Sequence, residues 1–420
     1  MAVFVSRTAP GDRIKARITQ IRRHYAVGEL VELLDPSPQR VFPPCPYYER
    51  CGGCQLQHMS YRDQLQAKTD QVIETLERIG AFHVPPVQDI SPAESPFGYR
   101  NKAVYHCQVS EGRLLIGLVG INRDEVIDLN HCPLQSENSN RVSARIRSAL
   151  ERTANQTSLD QSILRHLVIR TSEVTGLAIA VLVVRRHSFP GKDYLIQELE
   201  KEKKEIDSLW LNVNSRLDHS VLGEEYEPIW GPPYLREQVG GLMFDISLAA
   251  FFQVNTQQTE KLIDIIRDYA ALTGKETVLD LYGGVGLFSL ALADRSQSVY
   301  DIEMIRPATL DAIHNAELND ITNCCFRTGK AERLMQKLFV QGLRPHIAIL
   351  DPPRRGCHSK VLDFLPKMGI RRILYVSCSP PTLSRDLKAL IERGYRLQEV
   401  QPLDMFPQTY HMECVALLTM

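Results

Sequence analysis

Residues 276–290 read ETVLDLYGGVGLFSL. An apolar run rich in strand formers meets three glycines, Gly283, Gly284 and Gly286, and an apolar helical segment follows. The pattern is strand, tight turn, helix. Glycines let the backbone come close to a ligand, and a new helix offers amide hydrogens with no partner of their own. About twenty residues on, where a carboxylate can hold a ribose diol, the next apolar run SVYDIE ends in Glu303. Runs of the same kind recur as NCCFRT (323–328), HIAILD (346–351), RRILYVS (371–377) and ECVALLT (413–419), with helical segments between them. From about residue 245 onward this alternation predicts an α/β unit, a Rossmann-like, doubly wound parallel sheet.

The spacing D-x-x-x-G-x-G, with Asp280 on the strand, favours S-adenosylmethionine over a dinucleotide, whose turn prefers G-x-G-x-x-G. Three further motifs should lie at the carboxyl ends of strands, where ligands bind in this architecture: DPPRRG (351–356), YVSCSPPTLSRDL (375–387) and DMFPQTYHMECVAL (404–417). They supply a cysteine, Cys378, and two acids, Asp351 and Glu413. That set suits methylation of carbon 5 of uracil, a weak nucleophile. A thiolate adding at carbon 6 makes the ring an enolate, and a base then removes the carbon 5 proton so that the thiol can leave.

Working outward, the first 35 residues read as short strands about turns, part of a small β-barrel. Over the first fifty residues, Arg7, Arg13, Lys15, Arg17, Arg22, Arg23, Arg40 and Arg50 outnumber the acids Asp12, Glu29, Glu32, Asp35 and Glu49, although the whole chain carries a net charge of only −1. This basic stretch hints at phosphate contact. Prolines 36, 38, 43 and 44 break the pattern. YRDQLQAKTDQVIETLERIG (61–80) has apolar residues at helical spacing and ends in glycine, an amphipathic helix. Between about 97 and 240, KAVYHCQV, LLIGLVGI, HLVIRTS, LAIAVLVVRR and SLWLNVN read as strands and SARIRSALERTA as a helix, an α+β domain dominated by a sheet. No run of about 18 apolar residues is present and no leader pattern opens the chain, so a membrane span and export are not expected. A cytoplasmic location follows as an expectation.

Ten cysteines in such a chain argue for metal binding or catalysis where they cluster. Cys45, Cys51 and Cys54 stand as C-x5-C-G-G-C, and Cys132 is a distant fourth. Four thiolates suit zinc or a [4Fe–4S] cluster by ligand type. Zinc ribbons show two C-x2-C knuckles, and one is present.

The chain resembles, over nearly its whole length, the RNA 5-methyluridine methyltransferases, in particular the iron–sulfur branch that acts on 23S ribosomal RNA. The resemblance implies that Gln253 in FFQVN, Tyr282, Gly284, Gly286, Glu303 and Asp351 bind S-adenosylmethionine. It also implies that Cys378 in SCSP is the nucleophile, that Glu413 in HME is the base, and that Cys45, Cys51, Cys54 and Cys132 hold a [4Fe–4S] cluster of structural role. The implied organisation is a partial TRAM module, an OB-like RNA-binding fold, over 1–40, a central α+β domain with the cluster over 41–244, and a class I methyltransferase domain over 245–420. The helix at 61–80 is expected to pack on the last of these. The chain departs from the family at Gly283, usually cysteine, at Leu287, often asparagine, and at Ser379, usually asparagine. The partner is RNA, 23S rRNA before the T-loop of tRNA, and the protein is expected to be a monomer. Two rivals remain. RNA 5-methylcytosine methyltransferases share a T-C-S-like motif but carry a second cysteine in D-A-P-C, where this chain has Asp351-Pro352-Pro353-Arg354. A non-catalytic RNA-binding iron–sulfur protein is the reading from another class.

Overall fold

The computed structural model describes residues 1–122, 125–201, 203–218 and 220–420. Strands β1 (Ala2–Val5), β2 (Arg13–Ile21) and β3 (Tyr25–Asp35) form one small sheet in the order β1-β3-β2, with β1 parallel to β3. The expected barrel is an open sheet: three strands cannot close on themselves, and β1 and β2 are left as edges. Helix α1 (Tyr61–Arg78) is capped by Ser60, whose side chain accepts from the Asp63 amide. Its apolar stripe leaves this region altogether. Val72 and Leu76 are buried in one core with Leu383, Leu387 and Leu390 near the far end of the chain.

The central sheet comprises β4 (Lys102–Ser110), β5 (Arg113–Val119), β6 (Val126–Asp128), β7 (Leu164–Thr171), β8 (Ala178–Val184), β9 (Ser208–Val213) and β10 (Glu225–Trp230), in the order β10-β9-β8-β7-β4-β5-β6. All neighbours are antiparallel except β8 and β9. Helices α2 (Glu137–Gln156) and α3 (Lys192–Glu200) share a core with β4, β7 and β8 through Val142, Ile146, Leu150, Leu195 and Leu199. A hairpin, β11 (Tyr234–Val239) and β12 (Leu242–Ser247), turns on Gly240 and Gly241, both at positive φ. That conformation is demanded by a two-residue turn matched to strand twist.

Helix α4 (Thr256–Ala270) leads into the third sheet: β13 (Thr277–Leu281), α5 (Leu287–Ala293), β14 (Ser298–Glu303), α6 (Arg306–Leu318), β15 (Cys324–Thr328), α7 (Ala331–Val340), β16 (Ile347–Leu350), α8 (Ser359–Phe364), β17 (Arg372–Ser377), α9 (Pro380–Ile391), β18 (Arg396–Leu403) and β19 (Glu413–Thr419). The strand order is β15-β14-β13-β16-β17-β19-β18. β13, β14, β15, β16 and β17 are parallel, as their spacing predicts, but β19, the ECVALLT run expected to join them in parallel, runs antiparallel to both of its neighbours, β17 and β18. The mixed ending matters for the site. Because β19 runs against β17, its first residue arrives at the carboxyl end of β17. No helix among the described residues is long and apolar enough to cross a membrane.

Candidate active site

The end of β13 opens the site. Tyr282 sits at φ 71°, a conformation that bulky residues adopt only when their surroundings enforce it. Its amide donates to the Ile302 carbonyl at 2.9 Å. Gly283 has no room for a side chain, because a Cβ there would overlap the Asp301 carboxylate. Gly284 and Gly286 take φ of 59° and 89° and carry the chain into α5. Glu303, at the end of β14, accepts from the Gly284 amide at 3.1 Å and from the Ile305 amide at 2.6 Å, so the carboxylate is fixed beside the glycine turn. Beneath the turn, Asp280 and Asp301 share the Ser289 hydroxyl at 2.8 Å each. Burial raises Asp280 to about 7. Burial, and then the charge of Asp280, holds Asp301 well above the carboxylate range.

The second half of the site lies across β16, β17 and β19. Ser377 and Cys414 are the last pair of the antiparallel ladder, so Cys378 and Glu413, each one residue further out, come together at the carboxyl end of β17, where the Glu413 charge bears on the Cys378 thiol. Cys378 is half-buried and Glu413 fully buried. The Cys378 thiol is pushed up by burial and by the Glu413 and Asp351 carboxylates, and drawn down by Arg354, whose guanidinium hydrogen-bonds the sulfur. Glu413 is held well above its usual range by burial and by Asp351, with Arg354 opposing. Asp351, at the end of β16, is raised to about 7 by burial and by Asp280. His411 is lowered to about 4 by burial and by the cations Arg354, Lys68 and Arg100, so it is a neutral imidazole at pH 7.

Arg354 was not singled out as a site residue by its motif. It stands where it does because the first turns of α9 grip its loop: the Thr382 hydroxyl donates to the Arg354 carbonyl at 3.1 Å, and Arg385 donates to the Arg355 carbonyl at 2.9 Å. Gly356, at φ 80°, completes the turn. Gln253 is buried just before α4, and Asn101 from the central domain donates to its carbonyl at 3.2 Å. Gln253, Tyr282, Gly284, Glu303, Asp351, Arg354, Cys378 and Glu413 all line one cleft of about 1640 Å³. Gly286 lies behind it at the start of α5. Arg100 and the exposed Phe251, the first residue of FFQVN, also line the cleft, and no motif announces Arg100.

Cys45, Cys51, Cys54 and Cys132 are brought within electrostatic reach of one another from two separate segments. Cys54 packs beside Cys132, Tyr99 and Leu134. Gly52 and Gly53 let this loop lie flat on β5: a Cβ on Gly52 would stand 2.9 Å from the Val119 carbonyl. Burial raises all four thiols, Cys54 to about 12. Among the described residues, no three His, Cys, Asp or Glu side chains are gathered so that they could hold a metal ion as they stand.

The sequence model of the tRNA (Uracil-5-)-methyltransferase family matches residues 234–420. A protein described as an RNA methyltransferase from Halalkalibacterium halodurans is 38% identical over 421 residues, covering 99% of this chain and 92% of its own. Another from Caldanaerobacter subterraneus is also 38% identical, covering 100% and 93%. Among solved structures, the tRNA (uracil-54, C5)-methyltransferase of Pyrococcus abyssi, in complex with S-adenosyl-L-homocysteine, superposes with a TM-score of 0.77 at 28% identity, over 100% of this chain and 95% of that one.

Proposed function

The chain belongs to the S-adenosylmethionine-dependent RNA uracil-5 methyltransferases, and on that premise we propose that Cys378 and Glu413 methylate carbon 5 of one uridine through a covalent adduct. The observation that carries this reading is the placement of Cys378 and Glu413 one residue beyond the last β17–β19 ladder pair, Ser377 with Cys414, in the cleft that also holds the glycine turn. Bound S-adenosylmethionine supplies the methyl group; Gln253, Tyr282, Gly284, Glu303 and Asp351 would hold it, with Gly286 shaping the turn. The Cys378 thiolate, its charge met by Arg354, adds to carbon 6 of the ring. Once carbon 5 carries the methyl group, Glu413 removes the carbon 5 proton, and the pair of electrons left behind expels the Cys378 sulfur. A carboxylate raised above its usual range is a stronger base than a surface one, which suits it to a carbon acid.

A cytosine enzyme of the rival type would need a second thiol beside the first. The position where those enzymes carry it is Arg354; Cys357, three residues on, lines the same cleft but is buried, its thiol raised by burial to about 12 and its backbone amide donating to Asp386 at 2.8 Å. This favours uridine. The four-thiol cluster motif favours 23S rRNA as the substrate. The tRNA reading stands second, favoured by the substrate of the Pyrococcus relative. In either RNA the target nucleotide must leave its stack, which costs a few kcal/mol and favours loop uridines. Cys45, Cys51, Cys54 and Cys132 would hold the [4Fe–4S] cluster. The all-thiol donor set fits it, and so does the burial, which disfavours thiolates unless a cationic group joins them. The methylation needs no electron, so its part is structural.

The test is to incubate the protein with labelled S-adenosylmethionine and 5-fluorouridine-substituted rRNA or tRNA. Fluorine cannot leave as a cation, so a denaturation-resistant protein–RNA adduct is expected with the native chain and none with Cys378→Ala. The RNA found in the adduct names the substrate. No adduct with any RNA would overturn the uridine reading.

A further inference from the structure

The cleft is larger than the roughly 300–1,000 Å³ of most small-molecule sites, and it is lined by many charges, among them the acids Glu332 and Asp386 beside Lys330 and Arg385. The acids Glu303, Asp351 and Glu413 stand at the ends of the strands, where a cationic methyl donor is welcome. A second arm of the same cleft runs between the 354–358 loop, α8 and α9, and it is bordered by Lys330, Arg355, Arg385 and Arg393. Arg355 and Lys330 are exposed, and neither makes a side-chain hydrogen bond or ion pair among the described residues. Arg385 and Arg393 are held rigid instead. Arg385 donates to Asp386 at 2.8 Å and to the Arg355 carbonyl, and Arg393 pairs with Asp363. The arm begins at Arg354, which touches Cys378.

We propose that this arm receives the RNA backbone flanking the target nucleotide, with successive phosphates met by Arg355, Lys330, Arg385 and Arg393. The inference rests on the RNA reading above and deepens it. A donor carrying a positive sulfonium gains nothing from an arm lined with cations. A single small anion needs one such residue, whereas a row of them along a groove open to solvent matches a polyanion. Arg355 and Lys330 have their donors open to a phosphate, whereas Arg385 and Arg393, already bonded to Asp386 and Asp363, add a fixed border of positive charge. The arm starts one residue from the group that holds the nucleophile, so a strand lying in it delivers its neighbouring base to Cys378.

Binding of an unstructured, uridine-containing oligoribonucleotide to the full chain, titrated across salt concentrations, tests this directly. In the double variant Lys330→Gln, Arg355→Gln, affinity at low salt should fall at least tenfold. The slope of log affinity against log salt should flatten by about 0.7 for each phosphate that the variant no longer neutralises. Arg355→Lys should keep the slope, because a phosphate reads charge, and affinity for S-adenosylmethionine should not move. An unchanged slope, or an equal loss of cofactor affinity, overturns the proposal. The two readings fail separately. If the native chain forms the 5-fluorouridine adduct and the variant binds RNA with the native slope, the groove falls alone. If the slope flattens but no RNA is ever trapped, the groove stands and the uridine chemistry falls.

Discussion

At the scale of the residue, reactivity turns on one sulfur and the charges around it. Burial is the largest influence on Cys378 and raises its pKa; Glu413 raises it further and Arg354 lowers it. The thiolate therefore forms at higher pH than an ordinary cysteine's, and the sign of each substitution follows. Arg354→Gln removes the counter-charge, so the thiolate fraction at a given pH falls. Glu413→Gln removes a negative neighbour, so it rises. For a change of about one pKa unit, alkylation of Cys378 by iodoacetamide at fixed pH should slow or quicken about tenfold. Mass spectrometry of the peptide carrying Cys378 follows the rate across pH, and an Arg354→Gln profile displaced to lower pH would show that Arg354 is not the counter-charge. Cys378 and Glu413 were legible because their motifs are dense in chemistry: a cysteine between serines at a strand end, a carboxylate two residues after a histidine. Arg354 was legible only as a departure, standing where the cytosine enzymes carry a cysteine. Its position depends on how α9 grips the 354–356 turn, and no spacing in the sequence encodes that grip.

At the scale of the element, the apolar strands were readable because burial on both faces writes a continuous hydrophobic run. β16 and β17 are buried almost throughout. β18 was not read: RLQEVQPL mixes polar with half-buried residues, as an edge strand does, and its ladder is with β19 alone. The helix at residues 61–78 was readable, but its polar contacts were not. Lys68, buried in α1, pairs with buried Asp404 at 2.5 Å and donates to the Phe406 carbonyl at 3.2 Å; Tyr61 adds a hydrogen bond to Asp404 at 2.9 Å. These contacts pin the start of the segment that leads to His411 and Glu413. Lys68→Met strands the Asp404 charge in the interior, and breaking a buried pair this way costs about 3–5 kcal/mol. The double variant Lys68→Met, Asp404→Asn leaves no orphaned charge and should lose markedly less. Urea unfolding compares the two, and equal losses would mean that packing, and not the pair, is what Lys68 contributes.

At the scale of the whole molecule, the segment around Cys51 and Cys54 touches the central sheet and the connecting loops of the N-terminal and last sheets, and this explains how so small a segment can matter so far from itself. The Gly52 amide donates to Val119 of the central sheet at 3.1 Å. His58, four residues beyond Cys54, reaches the Thr8 carbonyl at 3.2 Å, and Arg7 donates to the carbonyls of Tyr48 and Glu49, tying on the N-terminal sheet. The amides of Gln55 and Leu56 both donate to the Gln408 carbonyl at 3.0 Å. Gln408 is buried at φ 69°, and its side chain and amide bond reciprocally with Gln64 of α1. Five residues later comes Glu413. If the four thiols hold a cluster, removing it releases these three attachments together, because the loop has too few apolar contacts of its own to keep its shape. Cys54→Ser, or chelation of iron from the native chain, should therefore raise amide hydrogen exchange in residues 404–412 and in residues 1–40 together. The strands β13, β16 and β17, buried in their own core, should keep their protection. The melting temperature should fall by about 2–4 °C for each kcal/mol of stability removed. Exchange confined to residues 45–58 would mean that the loop is an ornament of the central sheet. Exchange that spreads to Gln408 would make it the joint through which the N-terminal sheet, the central sheet and Glu413 are held in one register.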